Sequence, residues 1–334
     1  MNKFETDIVV IGAGPAGLFS VFEAGMLKMK CHVIDTLETI GGQCSALYPE
    51  KPIYDIPAHP KILARELVEL LEAQANPFHP VFHLNQQVQK IITNNNSFVV
   101  ETSKNTQINC KAIIIAAGCG AFGPNRPPLK NIEDFEGTSV FYSIRSKKDF
   151  TNKKVVIAGG GDSAVDWALS LAEIAQKIYV VHRRDKFRCA PDSAEKLKKL
   201  ANDGKIEMVT PFQLEGLDGQ DGKITNVIVK DFDNNIRKLE ADYLLPFFGL
   251  AMELGPIANW GLNLHKNHIE VDHYTMRTSQ RGIYAVGDIA YYPHKLKLIL
   301  TGFAECASAC HDIFKVIFPD QLYHFEYSTS KGIA

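Results

Sequence analysis

Two glycine-rich turns, each entered from an apolar run, occur in one chain, and 23 positions after each turn's first glycine the side-chain chemistry inverts. The first turn, Gly12-Ala13-Gly14-Pro15-Ala16-Gly17, follows Ile8-Val9-Val10-Ile11, and Asp35 comes 23 residues after Gly12. The second, Gly159-Gly160-Gly161-Asp162-Ser163-Ala164, follows Val155-Val156-Ile157. There the same offset falls on His182-Arg183-Arg184, with Arg188 close behind. A glycine turn between strand and helix lets the backbone approach a pyrophosphate at the helix N-terminus. The acid about 20 residues later accepts hydrogen bonds from a ribose with free hydroxyls, as in FAD or NAD. Arginines at that place suit a ribose carrying a 2′-phosphate, because a carboxylate there would repel it by about 4 kcal/mol at ~4 Å and an effective dielectric of about 20. A basic run is usually a solvated face. Here it begins where the strand 177–181 ends, which is the position of a ribose reader. The chain reads as an α/β protein with two Rossmann-like dinucleotide-binding domains, the first for an unphosphorylated dinucleotide and the second for NADP(H).

The bulk properties narrow the class. With 334 residues a large core and two domains are expected. Lys and Arg number 36 against 38 Asp and Glu, a balance that favours neither nucleic acid nor a membrane surface. The seven cysteines, at 31, 44, 110, 119, 189, 306 and 310, show no CxxC, no metal spacing and no dense disulfide framework. Cys306 and Cys310 stand one helical turn apart and read as two small buried side chains. No metal site is expected. Asp7 breaks the charge pattern of a signal peptide, and no stretch is apolar enough to span a bilayer, so a cytoplasmic location is expected.

Along the chain, short strands are expected at 8–11, 31–34, 98–101 and 112–116, with helices at 17–27 and 60–75. The pattern restarts near 153 with strand, glycine turn, helix 164–175 and strand 178–181, followed by β segments near 206–209, 224–229 and 243–247. Ile283-Tyr284-Ala285-Val286-Gly287-Asp288 is a further apolar strand ending in Gly-Asp, followed by a helical stretch 301–314. Lacking a third glycine turn, this segment is expected to rejoin the first domain and to bring Asp288 to its ligand from a strand end. The expected domains are 1–120 with 279–334, and 121–278 between them.

With the paired turns, Ala116-Ala117-Gly118 and Tyr284–Asp288 in view, the chain resembles the two-dinucleotide-binding flavoprotein family that includes thioredoxin reductase. Three stretches sharpen the likeness: residues 41–51 (Gly-Gly-Gln-Cys-Ser-Ala-Leu-Tyr-Pro-Glu-Lys), residues 53–57 (Ile-Tyr-Asp-Ile-Pro) and residues 327–330 (Tyr-Ser-Thr-Ser). Together they are similar to ferredoxin–NADP⁺ reductases of the thioredoxin-reductase-like type. The resemblance implies a homodimeric enzyme holding FAD and NADPH, with the FAD domain built from both ends of the chain. It implies FAD contacts from Gly12, Gly14, Pro15, Ala16 and Gly17 at the pyrophosphate, Asp35 at the adenosine ribose and Val88 at adenine. Gln43, Tyr48, Phe122, Asp288 and Thr329 are implied nearer the flavin, with Tyr48 and Tyr327 as candidates to stack on its two faces. For NADPH it implies Gly159, Gly161, Asp162, Ser163, Ala164, His182, Arg183, Arg184 and Arg188.

One departure from thioredoxin reductase decides the chemistry. The stretch that carries its CxxC reads Val140-Phe141-Tyr142-Ser143-Ile144-Arg145-Ser146 here, without cysteine. Dithiol exchange needs an attacking thiolate and a resolving partner. Electrons are therefore expected to leave the flavin directly for ferredoxin, with flavodoxin, a quinone or another small oxidant as alternative acceptors. No nucleophile or Ser/His/Asp arrangement is needed. A regulatory FAD protein that senses NADPH is the non-enzymatic alternative.

Overall fold

A computed structural model describes residues 2–95, 97–321 and 332. The chain divides into two compact units, residues 1–122 with 252–334, and residues 123–251. The first division lies close to the expected position at 120/121. The second lies at 251/252 rather than at 278/279, because residues such as Leu254, Ile257, Leu262 and Ile269 pack into the core of the first unit. No glycine turn or long helix marks that return in the sequence.

The first unit is organised by a five-stranded parallel sheet in the order Ile283–Ala285, Ala112–Ile115, Ile8–Ile11, Cys31–Ile34, Val81–His83. Its central strands Ile8–Ile11 and Ala112–Ile115 are buried on both faces, which is why they read as unbroken apolar runs. Alternation then sorts the side chains. Ile8, Val10, Ala112 and Ile114 face one core cluster with the helices Pro15–Met26 and Ile299–Ile317. Val9, Ile11, Ile113 and Ile115 face a second cluster with Val88, Phe98, Val100 and Ile108, which come from a four-stranded sheet on the other side.

The terminal helix and the first helix are joined by sulfur. Cys306 Sγ donates to the Ala16 carbonyl at 3.1 Å and Cys310 Sγ to the Ser20 carbonyl at 3.5 Å. Both cysteines are fully buried, as the sequence suggested, and burial pushes the Cys306 thiol up to about 12. Such thiols fill space between helices.

The second unit repeats the plan with four parallel strands in the order Ile206–Val209, Lys177–Val181, Lys154–Ala158, Tyr243–Pro246. An antiparallel sheet of Gln213–Gln220, Lys223–Lys230 and Ile236–Glu240 accompanies it. Two helical expectations need adjustment, and one helix was not expected. The expected 60–75 helix begins only at Ala64, since Ile62–Leu63 pairs with Pro52–Ile53 as a strand. The expected 164–175 helix is Asp162–Leu171. Pro191–Asn202 is a helix that the apolar pattern does not reveal, because only Leu197 among its residues is buried.

One polar pair is sealed into the first unit. His32 Nδ1 and His83 Nε2 lie 3.0 Å apart on adjacent strands, both rings buried and both edge-on to Phe4. Burial first, and His83 second, push the His32 imidazole down to about 4; burial also lowers His83. The native state therefore refuses protons that the unfolded chain accepts below about pH 6.5. Stability is complete above that pH and declines as pH falls from about 6.5 towards about 4. Urea unfolding at pH 7 and pH 5 should show this loss, and His32→Leu/His83→Leu should flatten it; an unchanged slope would assign the acid sensitivity elsewhere.

Candidate functional site

In the first unit, four parallel strands end at one cavity. Ile8–Ile11 runs into Gly12, Cys31–Ile34 into Asp35, Ala112–Ile115 into Ala116-Ala117-Gly118, and Ile283–Ala285 into Val286-Gly287-Asp288. Gly12, Asp35, residues 116–118, Gly287 and Asp288 all line that cavity, at the carboxyl edge where open parallel sheets place their ligands.

The glycines of the turn have separate duties. Gly12 has φ +111°, and a Cβ on it would lie 2.3 Å from the Ala116 carbonyl oxygen. A Cβ on Gly17 would lie 1.9 Å from the Gly12 oxygen, so Gly17 packs the helix onto the turn and does not itself line the cavity. Gly14 does line it, and its Cβ direction is open to 3.9 Å. It is also the N-cap of helix Pro15–Met26, whose first N–H groups have no side-chain cap. An uncapped helix start beside a bare Cα is a cradle for an anion.

Asp35 is buried and binds the turn itself: Oδ2 accepts from the Ala13 N–H at 2.6 Å and Oδ1 from the Leu37 N–H at 2.8 Å. Burial holds its carboxyl above the usual range, opposed by hydrogen bonds from the backbones of Ala13, Leu37 and Thr36. Val88 and Gln86 line the cavity on this side, where the Gln86 N–H donates to the Asp35 carbonyl at 2.9 Å.

Gln43, Cys44, Tyr48, Asp288 and Lys297 line it elsewhere and form one electrostatic neighbourhood. Burial pushes the Tyr48 phenol up, helped by Cys44, Asp288 and Cys119, and pushes the Cys44 thiol up to about 11. Of the expected FAD residues, Gly12, Gly14, Pro15, Ala16, Asp35, Gln43, Tyr48, Val88 and Asp288 are brought together. Phe122 lies in the strand Ala121–Pro124, and its side chain is outside the description. Tyr327 and Thr329 lie outside the described residues.

A buried ion pair that sequence reasoning missed fixes the Gly287-Asp288 corner. Lys295 Nζ meets Glu305 Oε1 at 2.5 Å, with side-chain exposures of 5% and 3%. Between them they hold both backbone groups of Gly287: its N–H donates to Glu305 Oε2 at 2.7 Å, and its carbonyl accepts from Lys295 Nζ at 2.7 Å. Tyr292 Oη adds a hydrogen bond to Glu305 Oε1 at 2.9 Å. The only sequence signal was a charged residue on the apolar face of a helix, Glu305 beside Cys306.

The second unit has its own cavity around the second glycine turn. Gly159 has φ +152°, and a Cβ on it would lie 2.6 Å from the Phe247 oxygen; on Gly160 it would strike the His182 ring at 2.3 Å. Gly161 has open space around its Cβ direction and caps the helix Asp162–Leu171 without a side-chain hydrogen bond. Gly159, Gly161, His182, Arg183, Arg184 and Arg188 line the cavity together. The Arg188 N–H anchors to the Gly160 carbonyl at 2.6 Å, which pins the basic loop to the glycine turn. His182 packs on Phe187; burial lowers its pKa and the three arginines lower it further, against a hydrogen bond to the Lys186 backbone that raises it. Asp162, Ser163 and Ala164 are not lining residues. Asp162 Oδ1 accepts from the Ala190 N–H at 3.0 Å, and Ala164 is buried beneath Gly159. Lys130 and Asn131 do line the cavity, and nothing in their local sequence marks them.

The family model of pyridine nucleotide-disulphide oxidoreductases matches residues 6–306. The chain belongs to that family. Among pyridine nucleotide-disulphide oxidoreductases and their relatives, it is 63% identical over 326 residues to a ferredoxin–NADP reductase of Rickettsia akari, covering 98% of each chain. It is 62% identical to a ferredoxin–NADP reductase of Rickettsia canadensis over 98% of this chain and 97% of that one. The fold is similar to that of Lactococcus lactis thioredoxin reductase, with a TM-score of 0.80 at 24% identity over 94% of this chain and 99% of that one. Despite the family's name, none of its seven cysteines here lies in a CxxC. Among the described residues no helix is long and apolar enough to cross a membrane.

Removing one partner of the Lys295–Glu305 pair should be costly. Glu305→Ala is expected to lose about 3–5 kcal/mol in urea unfolding, because it strands a buried ammonium. The double change Glu305→Met/Lys295→Met should recover most of that loss. Equal destabilisation by single and double variants would show that the charges do not compensate each other.

Proposed function

We propose that this chain is an FAD-dependent ferredoxin–NADP reductase, and that the first cavity holds FAD and the second NADPH. The observation that carries the reading is the pairing, in one chain, of a glycine turn that ends at a buried carboxylate with one that ends at three cavity-lining arginines. The near-full-length identity to ferredoxin–NADP reductases supports the choice of acceptor.

In the first cavity the pyrophosphate would lie at Gly14 and the uncapped start of helix Pro15–Met26. Asp35 would accept from the adenosine ribose with the lone pairs that Ala13 and Leu37 leave free, and Val88 would pack on adenine. Gln43, Tyr48 and Asp288 would border the flavin, with Thr329 and Tyr327 completing its cover. In the second cavity Gly161 leaves room for a pyrophosphate, and Arg183, Arg184 and Arg188 would read the 2′-phosphate. Among the described residues these three arginines make no ion pair, so their charge is available to a ligand. His182 would sit beside the adenosine ribose.

When bound, the flavin accepts hydride from the nicotinamide and releases electrons singly, which no side chain here does. The protein binds, orients and excludes water. Cys306 and Cys310 are sealed between helices, and no CxxC is present to divert electrons to a disulfide. We further propose that the enzyme works as a homodimer in the reducing cytoplasm. Flavodoxin, a quinone or another small oxidant would be served by the same flavin edge.

Three measurements test this. Denaturation should release FAD. Arg183→Ala and Arg184→Ala should each weaken NADPH by about 1.5–3 kcal/mol, or roughly 10- to 150-fold, and leave NADH nearly untouched; equal losses for both coenzymes would show that the arginines do not read the phosphate. Ferredoxin-dependent reduction of a cytochrome should proceed with NADPH, whereas robust thioredoxin reduction would contradict the missing dithiol.

A further inference from the structure

Lys297 lines the first cavity near Gln43, Tyr48 and Asp288, and its charge influences His268 and Cys119. Its Nζ lies 2.6 Å from His268 Nε2. An ammonium has no lone pair, so the imidazole accepts through Nε2 and carries its own proton on Nδ1. His268 belongs to the strand His268–Glu270, which pairs in parallel with Ala290–Tyr291, the strand leaving Asp288. The lysine is thus anchored by a neutral partner on the wall that carries Asp288, and among the described residues it forms no ion pair.

Its place is electrostatically awkward. Lys297 immediately precedes Leu298, the N-cap of the 19-residue helix Ile299–Ile317, whose first N–H groups have no side-chain cap. A cation beside the positive end of a helix is unfavourable, whereas an anion there is stabilised. Leu298, Ile299 and Gly302 of the same stretch line the cavity, so the helix start and the ammonium border one space. The exposed lysine and the helix start are two positive features beside one cavity, whose wall also carries the Asp288 carboxylate. Such a place is matched by a ligand part that gains negative charge during the reaction.

Resting on the FAD reading above, we propose that Lys297, held by His268, is the residue that tunes the flavin, favouring its electron-rich reduced form over the oxidised form. The stabilisation is differential: the oxidised ring system is neutral and gains little from a nearby ammonium, while the two-electron-reduced ring, after losing one proton, carries a charge that the ammonium and the helix start oppose. His268 contributes by keeping the flexible lysine stem on the cavity wall.

The flavin midpoint potential of the holoprotein tests this without reference to turnover. Lys297→Met should lower the ratio of reduced- to oxidised-flavin affinity about tenfold, a shift of about 30 mV to more negative potential for a two-electron couple. Lys297→Arg should retain the wild-type potential, and His268→Leu should move it in the same direction as Lys297→Met by less. Lys297→Gln carries the same test should the methionine variant fail to fold. An unchanged potential in the neutral variants would overturn the proposal, as would a loss of affinity equal for both oxidation states. Wild-type protein that takes up no FAD would instead overturn the reading beneath it.

Discussion

Backbone pressed against backbone at Gly12 is the constraint on which the first unit's site depends. The space where a Cβ would sit is already occupied by the Ala116 carbonyl at 2.3 Å, so two neighbouring strand ends close to a distance that only glycine permits. That closeness seats Gly17 on the Gly12 carbonyl and sets the start of the first helix. It also brings the Ala13 N–H to the Asp35 carboxylate, so Asp35 and the glycine turn are one hydrogen-bonded piece. The second unit repeats the device with different neighbours. Gly159 closes on the Phe247 carbonyl, and the Arg188 N–H closes the basic loop on Gly160.

The two cavities differ in how their charges are held. Around the first, two carboxylates are drawn inward and compensated: Asp35 by backbone N–H groups, Glu305 by Lys295, Tyr292 and Gly287. Burial makes such groups costly to leave unpaired, so these contacts hold the cavity walls in place. Around the second, the arginines stay exposed and uncompensated by carboxylates among the described residues. Exposed guanidiniums can meet and release a charged coenzyme without a large desolvation cost.

Fold likeness alone does not assign the chemistry. The architecture matches thioredoxin reductase, yet this chain has buried Cys306 and Cys310 as packing between two helices and carries no CxxC. Function on a shared scaffold resides in the site residues.

Glycine spacing and apolar strand runs are local properties, and they determined two parallel-sheet units with a glycine turn at the strand ends of each. A few consecutive residues suffice for such features, because the steric demand of a turn and the pleat of a strand act over short range. The sequence could not say that residues 252–278 return to the first unit, that Asp162 would turn away to the Ala190 N–H, or that Lys130 would border the second cavity. Nor did it show Glu305 and Lys295 gripping both ends of one peptide, or Lys297 meeting His268 across 29 residues. Those contacts join elements distant along the chain, and only packing fixes which distant polar groups face each other once water is excluded.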